Sequence, residues 1–182
     1  WELTATDFGT RMHTLLEFLD FGRPEERLQE RIAEIFRGAS DGEKREAAEI
    51  ILRFAQTDLC ARLRKADRVY RELPFVLHER HGLIYGVIDL LYRDREGWHI
   101  VDYKTAAGDE AKVKEAAYDF QVLLYAHALK RIAGETLASA AVYFLKNQFI
   151  CRTGVSAGAL DDFADKLRTL QEEILCFRAV SG

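Results

Sequence analysis

Two apolar runs separated by one tight turn constrain this chain more than any other feature. Leu83-Ile84-Tyr85-Gly86-Val87-Ile88-Asp89-Leu90-Leu91-Tyr92 and Trp98-His99-Ile100-Val101-Asp102-Tyr103-Lys104 flank Asp94-Arg95-Glu96-Gly97, and the pattern predicts a hairpin of two buried strands. Each run carries charge where a buried strand should be apolar: Asp89 in the first, Asp102 and Lys104 in the second. Buried charge is costly unless it is paired or bound to a metal. Side chains alternate along a strand, so Asp102 and Lys104 share a face. A salt bridge would account for the lysine and one aspartate and leave the other carboxylate over. A divalent cation accounts for all three charges. Two carboxylates on adjacent strands with an ammonium beside them are equipment for metal-assisted phosphodiester hydrolysis.

The remaining sequence predicts one domain over residues 1–182, of class α/β: a mixed central β-sheet flanked by helices, with a helical N-terminal region. Met12, Leu15, Leu16 and Leu19 form a helical stripe, and so do Leu28, Ile32, Ile35 and Phe36 after Pro24. Ser40-Asp41-Gly42-Glu43 has capping-box spacing before Ala47, Ile51, Phe54 and Ala55, and a shorter helix is expected from Thr57 to Lys65. Pro74 makes Val69–His78 an edge strand or a bend. A long helix is expected from about Ala111 to Ile132, ending near Gly134. Two strands, Ala138–Lys146 and Phe149–Val155, follow. A last helix should bury Leu160, Phe163, Leu167, Leu170, Ile174 and Leu175.

Composition narrows the function. Cys60, Cys151 and Cys176 are scattered, which points to a reducing compartment and rules out a four-cysteine cluster. No apolar stretch is long enough to span a membrane, and no P-loop spacing occurs; Gly38 to Lys44 is the nearest approach. The formal net charge is −4. A protein that grips DNA alone is usually basic, so affinity for DNA should be weak or supplied by a larger assembly. The start at Trp1, with Met12 the only methionine, is expected of a piece of a longer polypeptide. The densest basic run, Arg62 to Arg71, reads as a solvated helix end before it reads as a phosphate contact. His78 and His81 lack the companions of a zinc site, and His99 and His127 carry no signal.

The central pair does not stand alone. Gly9-Thr10-Arg11-Met12-His13-Thr14-Leu15-Leu16-Glu17 reads Gly-Thr-x-x-His-x-x-Leu-Glu, and Arg71-Glu72-Leu73-Pro74-Phe75 contains Glu-x-Pro-Phe. Gly86-Val87-Ile88-Asp89-Leu90 and Ile100-Val101-Asp102-Tyr103-Lys104-Thr105 follow, then Gln121-Val122-Leu123-Leu124-Tyr125 as Gln-x-x-x-Tyr. In content and order these pieces resemble the PD-(D/E)xK nuclease superfamily, and within it the RecB-like nuclease domains at the C-termini of RecB-like and AddA-like helicase–nucleases.

The resemblance implies a restriction-endonuclease-like fold and a bacterial cytoplasmic DNA exonuclease of double-strand-break processing that leaves 5′-phosphates. It implies that His13, Asp89, Asp102 and the Tyr103 carbonyl hold Mg²⁺ or Mn²⁺, and that Lys104 acts on the attacking water. Glu72 would sit at the site edge, binding the metal through water or orienting Lys104. Gln121 and Tyr125, on one helix face at i, i+4, would border the site. The partners it implies are DNA as single strands or frayed ends, a helicase domain in the same polypeptide or complex, and a second nuclease or helicase subunit. Two other readings remain: a non-catalytic DNA- or partner-binding module, whose mark would be a lost aspartate or lysine, and a stand-alone endonuclease or resolvase.

Overall fold

In the computed structural model, residues 5–111, 118–135 and 137–181 are described. Four helices come first: α1 (Ala5–Glu17), α2 (Leu28–Ile35), α3 (Asp41–Phe54) and α4 (Asp58–Leu63). The expected capping box closes α3, with the Ser40 side chain accepting from the Glu43 N–H and Glu43 accepting from the Ser40 N–H. Thr57 caps α4 with a single bond, its side chain accepting from the Cys60 N–H. One expectation fails in detail: Pro24 does not start α2. Successive turns run through it, Arg27 adopts a left-handed conformation (φ 56°), and the helix begins at Leu28, which is buried with Ile32.

A five-stranded sheet follows in the order β1 (Arg68–Glu79), β2 (Gly82–Asp94), β3 (Gly97–Lys104), β4 (Leu137–Phe144), β5 (Phe149–Thr153). The first three strands form an antiparallel meander, β3 and β4 run parallel, and β5 returns antiparallel. The sheet is therefore mixed, as expected. Pro74 lies on β1, an edge strand, where its missing N–H interrupts no ladder. The parallel connection carries α5 (Tyr118–Ala133), and α6 (Ala157–Ser181) closes the chain. The part of the predicted long helix over residues 112–117 lies outside the described residues.

Each face of the sheet buries its own core. On one face α1–α4 pack Met12, Leu15, Ile51 and Phe54 against Leu90, Tyr92, Val101 and Tyr103. On the other, α5 packs Val122 and Tyr125 against Ile88, Leu91, Ile100 and Val142. Helix α6 lies over α5 through Phe163, whose ring meets Phe120 at 5.1 Å. Its expected stripe is only half used: Leu160, Phe163 and Leu167 are buried, but Leu170 and Ile174 are exposed. The Leu175 side chain lies outside the described residues.

Between the two cores the β1–β2 ladder switches faces. Val69 and Leu90 point into the N-terminal core, whereas Leu73 and Ile88 point into the other. The register keeps one offset, with Arg71 opposite Leu90 and Leu73 opposite Ile88, but the pairing skips Glu72 and Asp89 between them. Strict alternation would put all of these on one side. The break falls on Glu72, whose φ is 45°, opposite Asp89. A non-glycine residue in that region carries roughly 1–3 kcal/mol of strain and persists only where its surroundings enforce it.

Candidate active site

The strained pair Glu72–Asp89 is where the site forms. The kink turns Glu72 and Asp89 toward α1, which presents His13. His13 Nδ1 lies 3.4 Å from Glu72 Oε1 and 3.7 Å from Asp89 Oδ2. One ligand atom from each of the three falls within 4.8 Å of the other two.

Asp102 stands across a fork in the sheet from this cluster, near enough for its charge to be felt by Asp89 but outside the three ligand atoms that converge. The β2–β3 register pairs Leu90 with Val101, and one step further would set Asp89 directly against Asp102. Like charges opposite each other destabilise a ladder, and the described pairing stops at that step. Asp89 Oδ2 instead accepts the Tyr103 N–H at 2.7 Å, a bond the β2 backbone would otherwise supply. The N–H and C=O of one strand residue point to the same edge, so the Tyr103 carbonyl faces the fork as well. The Tyr103 ring is structural. It is buried in the N-terminal core, edge-on to His13, Phe54 and Tyr143.

Beyond the fork, Asp102 is 1% exposed and its Oδ2 lies 2.8 Å from Lys104 Nζ. Lys104 donates to Gln121 Oε1 at 3.0 Å, and Gln121 Nε2 donates to the Tyr125 hydroxyl at 2.6 Å. Tyr125 meets Phe75 edge-on at 5.8 Å, and Phe75 lies across Gly86 so closely that a Cβ there would fall 2.5 Å from its ring. The Glu-x-Pro-Phe strand, the glycine of the next strand and the Gln-x-x-x-Tyr helix are thus one chain of contacts ending on the lysine. Gly86→Ala should cost about 1–3 kcal/mol by overpacking, seen as a lowered melting temperature, and should displace Tyr125 and Gln121.

The electrostatics match a cation site. Burial, and secondarily Asp102, push the Asp89 carboxyl up to about 7. Burial also raises Asp102, although Lys104 opposes it. Both Asp102 oxygens are buried with no hydrogen bond of good geometry among the described residues, so the 2.8 Å approach of Lys104 to Oδ2 is an ion pair. Three carboxylates therefore share one lysine and one histidine. Carboxylate and carbonyl oxygens with a single imidazole suit Mg²⁺ or, better for the imidazole, Mn²⁺.

The structure thus brings His13, Glu72 and Asp89 together on one side of the fork and links Asp102, Lys104, Gln121 and Tyr125 on the other, with the Tyr103 N–H bonded to Asp89 between them. Glu72 takes a definite side: it lies against His13 rather than Lys104. Tyr118 escaped the sequence reading. Its ring lies 5.1 Å from Lys104 Nζ, a cation–π contact. It stands one helical turn before Gln121, and that spacing was the signal available.

Three arginines of the basic run are engaged within the fold, while Lys65 and Arg68 are exposed. Arg62 binds Asp94 and Glu96, Arg64 donates to the Phe21 and Ala55 carbonyls, and Arg71 donates to the Leu19 carbonyl while stacking on Phe21. These arginines fasten the helical layer to the sheet. His99 gains a role here, bonded to Asp94 at 2.9 Å and Ser139 at 2.8 Å. Asp94, Glu96 and His99 also converge, but Arg62 already pairs with both carboxylates. Burial alone would raise Asp94; Arg62, the Glu96 N–H and His99 together lower it to about 2.

Comparison with known proteins shows the family and the fold. The family profile described as the PD-(D/E)XK nuclease superfamily matches residues 2–180. An ATP-dependent helicase/nuclease subunit of Listeria monocytogenes serotype 4a (strain HCC23) is 32% identical over 187 aligned residues, which cover 86% of this chain and 15% of that protein. The corresponding ATP-dependent helicase/nuclease subunit of Alkaliphilus metalliredigens is 30% identical over 163 residues, covering 78% of this chain and 14% of that one. A crystal structure of a candidate exonuclease from Eubacterium rectale superposes with a TM-score of 0.60 over 96% of this chain and 68% of that one, at 13% identity, a likeness of fold. The chain spans only about 15% of the length of such curated relatives.

Proposed function

The chain belongs to the PD-(D/E)XK nuclease superfamily, and we propose that it is a divalent-metal-dependent deoxyribonuclease of exonuclease type that processes DNA ends delivered by a helicase. The observation that carries this reading is the fork. Asp89 and Asp102 part there, with His13 and Glu72 on one side and Lys104 on the other.

His13, Asp89, Asp102 and the Tyr103 carbonyl would hold Mg²⁺ or Mn²⁺, and Glu72 stands close enough to join them directly or through water. When bound, the cation supplies positive charge beside the scissile phosphate and acidifies water. The chain's own residues do the rest. Asp102 and Gln121 hold Lys104 Nζ at a fixed place, and the Tyr118 ring backs it. The ammonium orients the attacking water and stabilises the charge that builds on the phosphoryl oxygens. Burial keeps the Tyr125 phenol neutral by pushing it up to about 12, so it remains a partner for Gln121. Water adds to phosphorus in line, the bond to the 3′-oxygen breaks, that oxygen takes the proton, and a 5′-phosphate end remains.

Several observations support weak intrinsic grip with delivery by a partner. The chain carries a net charge of −4, and Arg62, Arg64 and Arg71 are spent on internal contacts. The relatives are named as helicase/nuclease subunits. Local concentration supplied by a motor in the same assembly would replace affinity. No helix among the described residues is long and apolar enough to cross a membrane.

The test is cleavage of end-labelled single- and double-stranded DNA with Mg²⁺, with Mn²⁺ and with EDTA. Metal-dependent shortening from ends, with 5′-phosphate products, is expected. His13→Ala should weaken Mn²⁺ binding about 10- to 100-fold by calorimetry. No cleavage under any metal would return the chain to a binding module, and internal cuts in closed circles would make it an endonuclease.

A further inference from the structure

The β1–β2 hairpin extends well past the part of the sheet that β3 covers, and its two faces differ sharply. Leu73, Phe75 and Leu77 on β1, with Ile84, Gly86 and Ile88 on β2, turn toward α5 and α6 and are buried or half-buried. The alternate residues, Pro74, Val76 and His78 with Leu83, Tyr85 and Val87, are all exposed. The register makes these six a ladder of three rungs, Pro74 with Val87, Val76 with Tyr85, and His78 with Leu83. Tyr85 is 70% exposed, the most open of the large apolar side chains described. An exposed apolar strip of this length on a strand pair is unusual unless something lies on it.

The position of the strip says what that is. The next position toward the body of the sheet holds Glu72 and Asp89, which the ladder skips between Leu73–Ile88 and Arg71–Leu90. Because of the kink at Glu72, both carboxylates look out on the same side as the strip, toward His13. The strip is thus a direct continuation of the candidate active site along the same two strands. Tyr85 stands four residues from Asp89, about 13 Å along the strand at ~3.3 Å per residue. None of the six side chains is acidic, in a chain with 30 acidic residues. A polyanion can therefore lie along it without meeting a carboxylate of the strip before the site. None of the six is an arginine or a lysine either, so the ladder has little to hold a phosphate backbone with. What it offers is an open aromatic ring with aliphatic neighbours, which is what an unpaired base stacks on.

We infer that the outer face of the β1–β2 hairpin is a stacking platform for unpaired bases, with Tyr85 its principal residue, and that it positions a single strand across Glu72 and Asp89. This inference rests on the nuclease reading and adds to it a source of strand preference. A duplex keeps its bases stacked inside and gains nothing from the ring. A frayed or single strand gains one stacking contact each time it advances.

The test uses the 182-residue chain as wild type, Tyr85→Ala and Tyr85→Trp, with a single-stranded oligonucleotide carrying 2-aminopurine, at low salt. In EDTA, the wild type should change the probe's fluorescence on binding. Tyr85→Ala should bind about tenfold more weakly with that change lost, and Tyr85→Trp should restore both. With Mn²⁺, Tyr85→Ala should raise KM for single strands in proportion and leave kcat, and the melting temperature, as in the wild type. Equal KM and equal binding for wild type and Tyr85→Ala, with cleavage intact, would overturn the platform and leave the nuclease reading standing. Tyrosine-dependent binding without cleavage under any metal would do the reverse. If sedimentation shows that Tyr85→Ala only abolishes self-association, the strip is covered by a second copy and the inference fails.

Discussion

Asp89→Asn should abolish cleavage and, in the metal-free protein at pH 8, raise the melting temperature. The two effects have one origin. Burial and the neighbouring Asp102 push the Asp89 carboxyl up to about 7, against 3.8 for the free group, so the folded protein holds a proton there that the unfolded chain has released. With the folded value raised, the stabilising contribution is present at acid pH and is lost as pH climbs from about 4 to about 7. Across three or so units the loss is on the order of 4 kcal/mol. The wild-type protein in EDTA should therefore be more stable near pH 5 than near pH 8. The asparagine variant should lack most of that slope, since its side chain keeps an oxygen to accept the Tyr103 N–H. Mn²⁺ should stabilise the wild type at pH 8 and the variant far less. Cleavage should fall roughly a thousandfold or more, because the charge that holds the cation is gone. Thermal melts at the two pH values, with and without metal, check the stability arm; an end-labelled assay checks the other. A variant that cuts at the wild-type rate would remove Asp89 from the site.

Much of this was legible in the sequence because the signals are local. Alternation and turn residues marked β2 and β3, the charges inside them marked a site, and Ser40 with Glu43 marked the start of α3. The residues joined at the site were readable only as motifs; nothing local says that His13 meets a carboxylate 59 positions away. The kink was not legible at all. A glutamate with φ of 45° has no compositional mark, and its conformation is imposed by two cores that pull the hairpin in opposite directions. The roles of Arg62 and His99 were hidden for a similar reason: their partners Asp94 and Ser139 come from separate elements. Basic runs look alike in sequence whether they face phosphate or their own fold.

The lysine should reveal itself through stability as much as through rate. Lys104→Met should lower cleavage about 100- to 1,000-fold, as expected for removal of a positioned charge from a developing anion. It also strips the cation that ion-pairs with Asp102, which is 1% exposed and has neither oxygen hydrogen-bonded among the described residues. Removing one member of a buried pair costs roughly 3–5 kcal/mol, so the metal-free variant should melt well below the wild type at pH 8. The sign at acid pH is the opposite way round. Asp102 is already raised by burial, against the pull of Lys104, and without the lysine it rises further. Stability in the variant is then retained at low pH, where the carboxyl is protonated, and lost as pH rises. Lys104→Met should approach the wild type near pH 5 and diverge from it steadily above. Lys104→Met with Asp102→Asn should recover the melting temperature at pH 8, because no buried charge is left unpaired, yet stay inactive. Lys104→Arg should keep the charge and much of the stability, but lose the geometry set by Gln121 at 3.0 Å and the Tyr118 ring at 5.1 Å. A double variant no more stable at pH 8 than Lys104→Met would show that the lysine stabilises the fold by packing rather than by neutralising Asp102.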